Sequence, residues 1–250
     1  MTVSSVQGDS TTAEAYRRAL EGRLAQAVIT DPPYCLLTRR RKGGDEREKK
    51  DRKVERGPLR RFENVREYRD FTRSWLRLAL DPKHTSPEAT LVVWTNLLGR
   101  EPITSIANEL GWSTRLGEFV WGKRTREGNS GEELLRVVET ALVLSKAAPR
   151  PLEVGAPAVP WSVVAGYDDD AEAEQWGNHP SHKPFGVVEP LLRTWSRPGD
   201  LVLDPFAGSG SIPAAALRLG RAVACIELEA DWASRVSARL SQGPARYGPK

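Results

Sequence analysis

The segment best equipped for chemistry in this sequence is Asp31-Pro32-Pro33-Tyr34. Two consecutive prolines fix φ and remove two amide donors, so the chain after Asp31 is stiff and the Pro32 carbonyl is kept out of a helix. An ionised Asp31 carboxylate accepts hydrogen bonds only, and together with that carbonyl it makes a rigid pair of acceptors. An exocyclic amine of a nucleobase has two hydrogens to give such a pair. Accepting both draws the nitrogen lone pair out of conjugation and makes the amine a nucleophile. Tyr34 adds a ring on which a base rotated out of its stack can lie, worth about 1–3 kcal/mol per base in single-strand binders. Taken alone, the segment also reads as a proline-stiffened turn with Tyr34 as a packing residue.

A second group is the glycine turn in DPFAGSGS (204–211). At Gly208 and Gly210 the missing Cβ allows positive φ and close approach of a ligand to the backbone. Glu227 ends the next apolar run, where a carboxylate can accept hydrogen bonds from ribose hydroxyls. A lone pair of glycines is equally compatible with an ordinary turn beside a surface acid. Pro213 stands where a dinucleotide fold has its third glycine, and the strand ends in Asp204-Pro205-Phe206, which disfavours NAD or FAD. A cofactor with one ribose and no pyrophosphate, such as S-adenosylmethionine, needs less of a phosphate cradle.

The elements that must position these residues are legible in part. AEAYRRALEGRLAQ (13–26) reads as a helix and AVIT as a buried strand ending at Asp31. Tyr68, Phe71, Trp75, Leu76, Leu78 and Ala79 recur at helical spacing and predict an amphipathic helix stopping before Asp81-Pro82. ATLVVWTN (89–96) reads as a strand, PITSIANELGW (102–112) as a helix ended by Gly111, EFVWGK (118–123) as a strand, and EELLRVVETALVLSK (132–146) as a helix passing into a strand. A helix then closes at Pro198-Gly199, followed by the strand LVLDPF, the turn, the helix IPAAALRLG, the strand RAVACIELEA and the helix DWASRVSARL. Strand, glycine turn, helix and strand between Leu201 and Glu227 make a βαβ unit, which binds nucleotides at the carboxyl ends of parallel strands. The expected fold is therefore a Rossmann-like, doubly wound, mostly parallel α/β sheet with both motifs at one edge. Residues 1–13 read as a frayed, disordered N-terminus, 14–243 as a single domain, 147–178 as a short irregular connection rich in proline, and 244–250 as a tail.

Composition narrows the class. Of 250 residues, 39% are hydrophobic and 28% charged, as in globular domains, and no apolar run reaches the roughly 18 residues of a membrane span. The first residues carry no basic cluster followed by an apolar core, so a cytoplasmic location is expected. Cys35 and Cys225 can form at most one disulfide, and neither sits in a zinc-binding pattern; no metal is expected. The net charge of +4 is concentrated between Arg39 and Arg61, where 12 Lys/Arg face 5 Asp/Glu, leaving the rest of the chain net negative. Arg39, Arg40, Arg41, Lys42, Lys49, Lys50, Arg52 and Lys53 of this basic loop are candidate phosphate contacts, the alternative being a solvated charged insertion. The eight tryptophans read as packing residues, with Trp176 set apart by its nearness to HPSHKP (179–184).

DPPY at 31–34 followed by DPFAGSGS at 204–211 resembles the beta group of DNA amino-methyltransferases, in which the catalytic motif precedes the cofactor motif. HPSHKP is similar to the family's motif upstream of the cofactor strand, and RPGDLVLDPFAGSG to CIELEADW is similar to its cofactor-binding half. The resemblance implies that Asp204, Phe206, Ala207, Gly208 and Gly210 surround the methionine part of S-adenosylmethionine, that Glu227 holds the ribose, and that Lys183 and His179 help close the pocket. It implies methyl transfer to a base flipped from double-stranded DNA, with Asp31, Pro32, Pro33 and Tyr34 as catalytic residues. DPPY rather than SPPY favours adenine N6. Cytosine N4, an RNA base, and an inactive nucleic-acid-binding partner subunit stay open. Three positions depart from the pattern: His182 replaces Gln, Ser211-Ile212 replaces Thr-Thr, and Cys35 replaces Gly. Residues 147–178 are also short for a target-recognition region, so DNA contact is expected from the basic loop or from a second subunit in a homodimer.

Overall fold

The computed structural model describes residues 2–37, 60–126, 132–147, 161–166, 175–176, 179 and 181–242. Its strands are β1 (Val3–Gln7), β2 (Ala25–Thr30), β3 (Thr85–Thr95), β4 (Thr114–Arg126), β5 (Glu132–Ser145), β6 (Ser162–Gly166), β7 (Leu201–Asp204) and β8 (Ala222–Glu227). Its helices are α1 (Ala13–Leu20), α2 (Val65–Ala79), α3 (Arg100–Glu109), α4 (Phe185–Trp195), α5 (Ser211–Arg218) and α6 (Ala230–Ser241). All eight strands lie in one sheet of order β1-β8-β7-β2-β3-β5-β4-β6, and only β5 runs against its neighbours.

Strand alternation divides the core. In β2, Val28 faces one side while Ala27 and Ile29 face the other; in β3, Leu91 and Val93 oppose Val92 and Trp94. The first side is covered by α1, α2 and α3 through Tyr16, Trp75 and Ile106, and the second by α4, α5 and α6 through Val188, Ile212 and Val236. The chain leaves β2 through α2 towards β3 and leaves β7 through α5 towards β8, in opposite directions along the sheet. The β7–β2 seam is thus the topological switch point, where open α/β sheets bind ligands. The expected doubly wound, mostly parallel sheet is the one observed. Among the described residues no helix is long and apolar enough to cross a membrane.

The structure corrects several expectations. The N-terminal residues are not frayed: Val3–Gln7 pairs in parallel with Val223–Glu227, and Ser10 donates its hydroxyl to the Pro205 carbonyl. An edge strand keeps one flank in solvent, so the serines of VSSVQ are compatible with pairing. The first helix stops at Leu20, because Glu21 and Gly22 both take positive φ, and the remainder of 13–26 leads into β2. Residues 132–145 are strand throughout; β5 pairs antiparallel with β4 along its length and with β3 from Thr140 to Ser145, and the pairing with β4 overrides the helical reading of its first half. The stretch 147–178 contains β6, whose neighbour Trp161 sits over Gly117, where an added Cβ would lie 2.6 Å from the indole ring. Arg39, Arg40, Arg41, Lys42, Lys49, Lys50, Arg52, Lys53 and the tail 244–250 lie outside the described residues.

Helix α2 begins with a reciprocal cap. The Asn64 side chain accepts from the Glu67 amide at 2.9 Å, and the Glu67 carboxylate accepts from the Glu63 amide at 2.6 Å. Asn64→Ala is expected to destabilise the protein by about 1 kcal/mol, seen as a lower urea midpoint with an unchanged slope.

Candidate active site

Register brings the two motifs together. Val28 pairs with Leu203, and one turn of the pleat further on the Thr30 hydroxyl donates to Asp204 Oδ1 at 2.7 Å. Asp31, the first residue beyond β2, therefore stands beside Asp204, the last residue of β7. Glu227 ends β8, the next strand along.

On the β7–β8 side the glycine turn makes a cradle. Gly208 has φ +53° and donates its amide to Glu227 Oε2 at 2.7 Å; Gly210 has φ +73° and leads into α5. A Cβ at Gly208 would lie 2.9 Å from the His179 ring, so only glycine fits beneath that imidazole. Ala207 is buried and donates to the Ile226 carbonyl at 2.9 Å. Phe206 meets Trp75 edge-on at 5.3 Å. Asp204 is buried; Oδ1 also accepts from the Phe206 amide at 3.1 Å, whereas Oδ2 has no partner among the described residues. Burial pushes its carboxyl up to about 7, and burial likewise raises that of Glu227.

HPSHKP is sewn to this turn. His182 Nδ1 lies 2.9 Å from the Ser209 hydroxyl, the Lys183 amide donates to the Ser211 hydroxyl at 3.2 Å, and Arg239 donates to the Ser209 carbonyl at 2.9 Å. Ser211 thus supplies a hydroxyl where the family has threonine. His179 meets Trp232 edge-on at 4.6 Å and accepts from the Ser181 amide at Nδ1, which leaves its proton on Nε2. Burial, then the charges of Lys183 and His182, depress its pKa to about 4, so the ring is neutral. Trp176 lies under the Arg239 guanidinium at 5.8 Å, which places it against the same turn.

The β2 side holds a buried charge cluster. Lys183, 2% exposed, sets its Nζ 2.5 Å from Asp31 Oδ2 and 3.0 Å from Glu139 Oε2. Glu139 also pairs with Lys123 and accepts from the Tyr34 hydroxyl at 2.7 Å. The Lys183 ammonium lies over three rings, 5.3 Å from Trp94, 5.8 Å from Tyr34 and 6.0 Å from Trp121. Asp31 Oδ1 is buried and has no partner among the described residues. Burial raises the Asp31 carboxyl, and Lys183 opposes that rise. Burial opposes ionisation of Glu139 too, but Lys183 and Lys123 outweigh it and hold its carboxyl at about 2. Burial also works against the Lys183 charge, yet Asp31 and Glu139 outweigh it and keep the ammonium protonated. Two carboxylates and two ammonium groups balance, as burial of charge demands.

Asp31, Tyr34, Asp204, Gly208, Gly210, Glu227, His179 and Lys183 are thus gathered along three strand ends, with Pro32 buried and Pro33 half-buried in the connecting segment. Lys183, expected to close the cofactor pocket, is tied there only by its amide; its side chain lies on Asp31. Glu139, Lys123, Trp94 and Trp121 were not singled out from sequence as site residues. The available signal was Glu139, a lone acid inside the apolar run VVETALVL.

A family model described as DNA methylase (N6_N4_Mtase) matches residues 25–236. The type II methyltransferase M2.LlaDCHI of Lactococcus lactis subsp. cremoris is 26% identical over 237 residues, covering 88% of this chain and 83% of that protein. Among solved structures, the M1.HpyAVI–SAM complex is similar with a TM-score of 0.64 at 19% identity, over 96% of this chain and 100% of that one. The cytosine-N4-specific PvuII DNA methyltransferase is similar with a TM-score of 0.65 at 19% identity, over 96% and 86%. At such identity these two structures speak for the fold.

Proposed function

From the premise that this chain belongs to the N6/N4 DNA methylase family, we propose that it methylates adenine N6 in double-stranded DNA, using S-adenosylmethionine and taking the base out of its stack. The observation that carries this reading is the state of Asp31: one carboxylate oxygen holds a buried ammonium, the other is an unpartnered acceptor, and Thr30 ties the strand end to Asp204 beside the glycine cradle.

The residues present fit the cofactor. Asp204 Oδ2 is a buried acceptor with no donor among the described residues, Gly208 and Gly210 turn the chain at positive φ under His179 and Val236 where a Cβ would crowd, and the Glu227 carboxylate ends the strand where ribose hydroxyls are held in such folds. Phe206, Ala207 and His179 would wall the same site. When bound, S-adenosylmethionine supplies a methyl group on a sulfonium, an electrophile that needs no further activation.

The chain's own residues supply the nucleophile. Asp31 Oδ1 accepts one hydrogen of the target amine and the Pro32 carbonyl accepts the other, with Pro33 keeping the segment stiff. Tyr34, its hydroxyl anchored on Glu139, offers its ring to the base. Lys183 stays on Asp31 Oδ2, shared with Glu139, and leaves Oδ1 to the amine. As the new nitrogen–methyl bond would form and the methyl–sulfur bond break, leaving a neutral thioether, the nitrogen becomes positive and sheds a proton, and Asp31 is the nearest base to receive it. Asp at the first motif position, where the cytosine-directed form has Ser, supports adenine. A homodimer, and phosphate contacts from the basic residues between 39 and 53, belong to the same proposal on charge and length alone, as does a cytoplasmic location.

The test is incubation with methyl-labelled S-adenosylmethionine and, separately, duplex DNA, single-stranded DNA and RNA, followed by nucleoside chromatography. Labelled N6-methyladenine from duplex DNA is expected. N4-methylcytosine would correct the base and keep the mechanism, label in RNA alone would overturn the substrate, and no label despite bound cofactor would make the chain an inactive partner subunit.

A further inference from the structure

We propose that Leu97 and Leu98 are a wedge that enters duplex DNA beside the target base and fills the space it leaves. The inference rests on the reading of the chain as a DNA methylase that takes its base from a duplex. Leu97 is 78% exposed, the most exposed large apolar side chain among the described residues, and Leu98 is 50% exposed. Single exposed apolar residues are common and need no explanation. These two are consecutive, on an ordered turn, at the edge of the sheet where the base must arrive.

Their position follows from register. Strand β3 lies beside β2, with Thr30 opposite Val93, so the chain beyond Thr95 continues past the same sheet edge as Asp31. Asn96 fixes the turn to the catalytic segment by donating its side-chain amide to the Cys35 carbonyl at 3.0 Å. It also caps the turn, its Oδ1 accepting from the Gly99 amide at 3.0 Å. Gly99 seats the turn tightly, since a Cβ there would lie 2.3 Å from the Thr95 hydroxyl oxygen and 2.8 Å from that of Tyr68. Helix α3 then anchors the far side through buried Ile103 and Ile106, and Arg100 pairs with Glu118 of β4. The leucines are therefore held out on a rigid mount.

The chemistry matches the task. A base leaving its stack costs a few kcal/mol of lost stacking and pairing, and apolar side chains that enter between base steps offset that loss. A contact to phosphate would call for cations, and Leu97-Leu98 offers only hydrocarbon. The occupant that fits such a pair beside Asp31 is the step of duplex flanking the target.

Leu97→Ala/Leu98→Ala, at exposed positions, is expected to fold as the parent does. The assay is kcat/KM for a duplex oligonucleotide bearing a site the parent protein labels, for the same strand unpaired, and for a duplex with the target base mispaired. Emission from 2-aminopurine at the target position reports extrusion directly. The double variant should lose about 10-fold or more on the paired duplex, the equivalent of a kcal/mol or two of unstacking, and stay within about 2-fold on the other two substrates, with weaker 2-aminopurine emission. Leu97→Phe should retain duplex activity. Equal losses on all three substrates, or no loss on any, would overturn the wedge. A change of oligomeric state in the double variant would make the surface an interface between copies and overturn it too. Failure of the parent protein to label any DNA would instead remove the function on which the wedge rests.

Discussion

Asp31→Ala is expected to lower methyl transfer by about a thousandfold or more while leaving S-adenosylmethionine affinity within about threefold, because it removes an acceptor that acts on the reacting nitrogen. The separation of effects follows from the layout: Asp31 lies beyond β2, whereas the cradle of Gly208, Gly210 and Glu227 belongs to β7 and β8. Removing the carboxylate also strips Lys183 of one of its two counter-ions in a buried site, which destabilises such clusters. Asp31→Asn is the control, since it keeps a carbonyl acceptor of the same shape and should retain more activity than alanine. Equilibrium binding of cofactor together with single-turnover transfer on labelled duplex decides the matter, and transfer near the parent rate in the alanine variant would remove Asp31 from the mechanism.

Lys183→Met carries the second large effect, and its signature is a pH profile. Burial drives the Asp31 carboxyl up and the Lys183 ammonium draws it down, so removing the ammonium lets it rise further. Asp31 must be ionised to receive the proton that the methylated amine sheds, so the acid limb of kcat/KM moves to higher pH. At neutral pH the rate falls about 10- to 100-fold, and it recovers as the pH is raised through the new pKa. The other groups facing Asp31 are Glu139 from β5, whose charge pushes in the same direction, and the Tyr34 hydroxyl. Lys123 from β4 is engaged by Glu139. Lys183→Arg, which keeps the charge, should leave the limb near its place. An unshifted limb in the methionine variant would mean that Lys183 does not set the ionisation of Asp31, and weakened cofactor binding would assign it to the cofactor pocket instead.

The sequence was most legible where function is carried by neighbours in the chain. DPPY and DPFAGSGS are local because stiff carbonyls and a cradle free of Cβ atoms must be built from consecutive residues. The short apolar runs of β2, β3, β7 and β8 announced parallel strands for the same reason. The charge cluster around Lys183 was less legible because it is assembled from β4, β5 and the segments after β2 and before α4. No spacing in the chain foretells that Glu139 meets Tyr34 across 105 positions. Strand β5 was misread in its first half because pairing with β4, rather than its own periodicity, sets the conformation there, with β3 joining only from Thr140 onward. Strand β1 was missed because serines at an edge carry no apolar signal, although β8 supplies a register for every residue of it.

That first strand bears on how the protein is born. Val3–Gln7 leaves the ribosome long before its partner Val223–Glu227, and β2 likewise waits for β7 to occupy one of its flanks. Pairings so distant slow folding and leave backbone edges bare in the meantime. A nascent chain can fold β2 against β3 early, but the lysine that neutralises Asp31 and the acids of β7 and β8 follow only later. Methylating capacity should therefore appear only once β7 and β8 have emerged, and the bare flank of β2 is the edge to be protected until then.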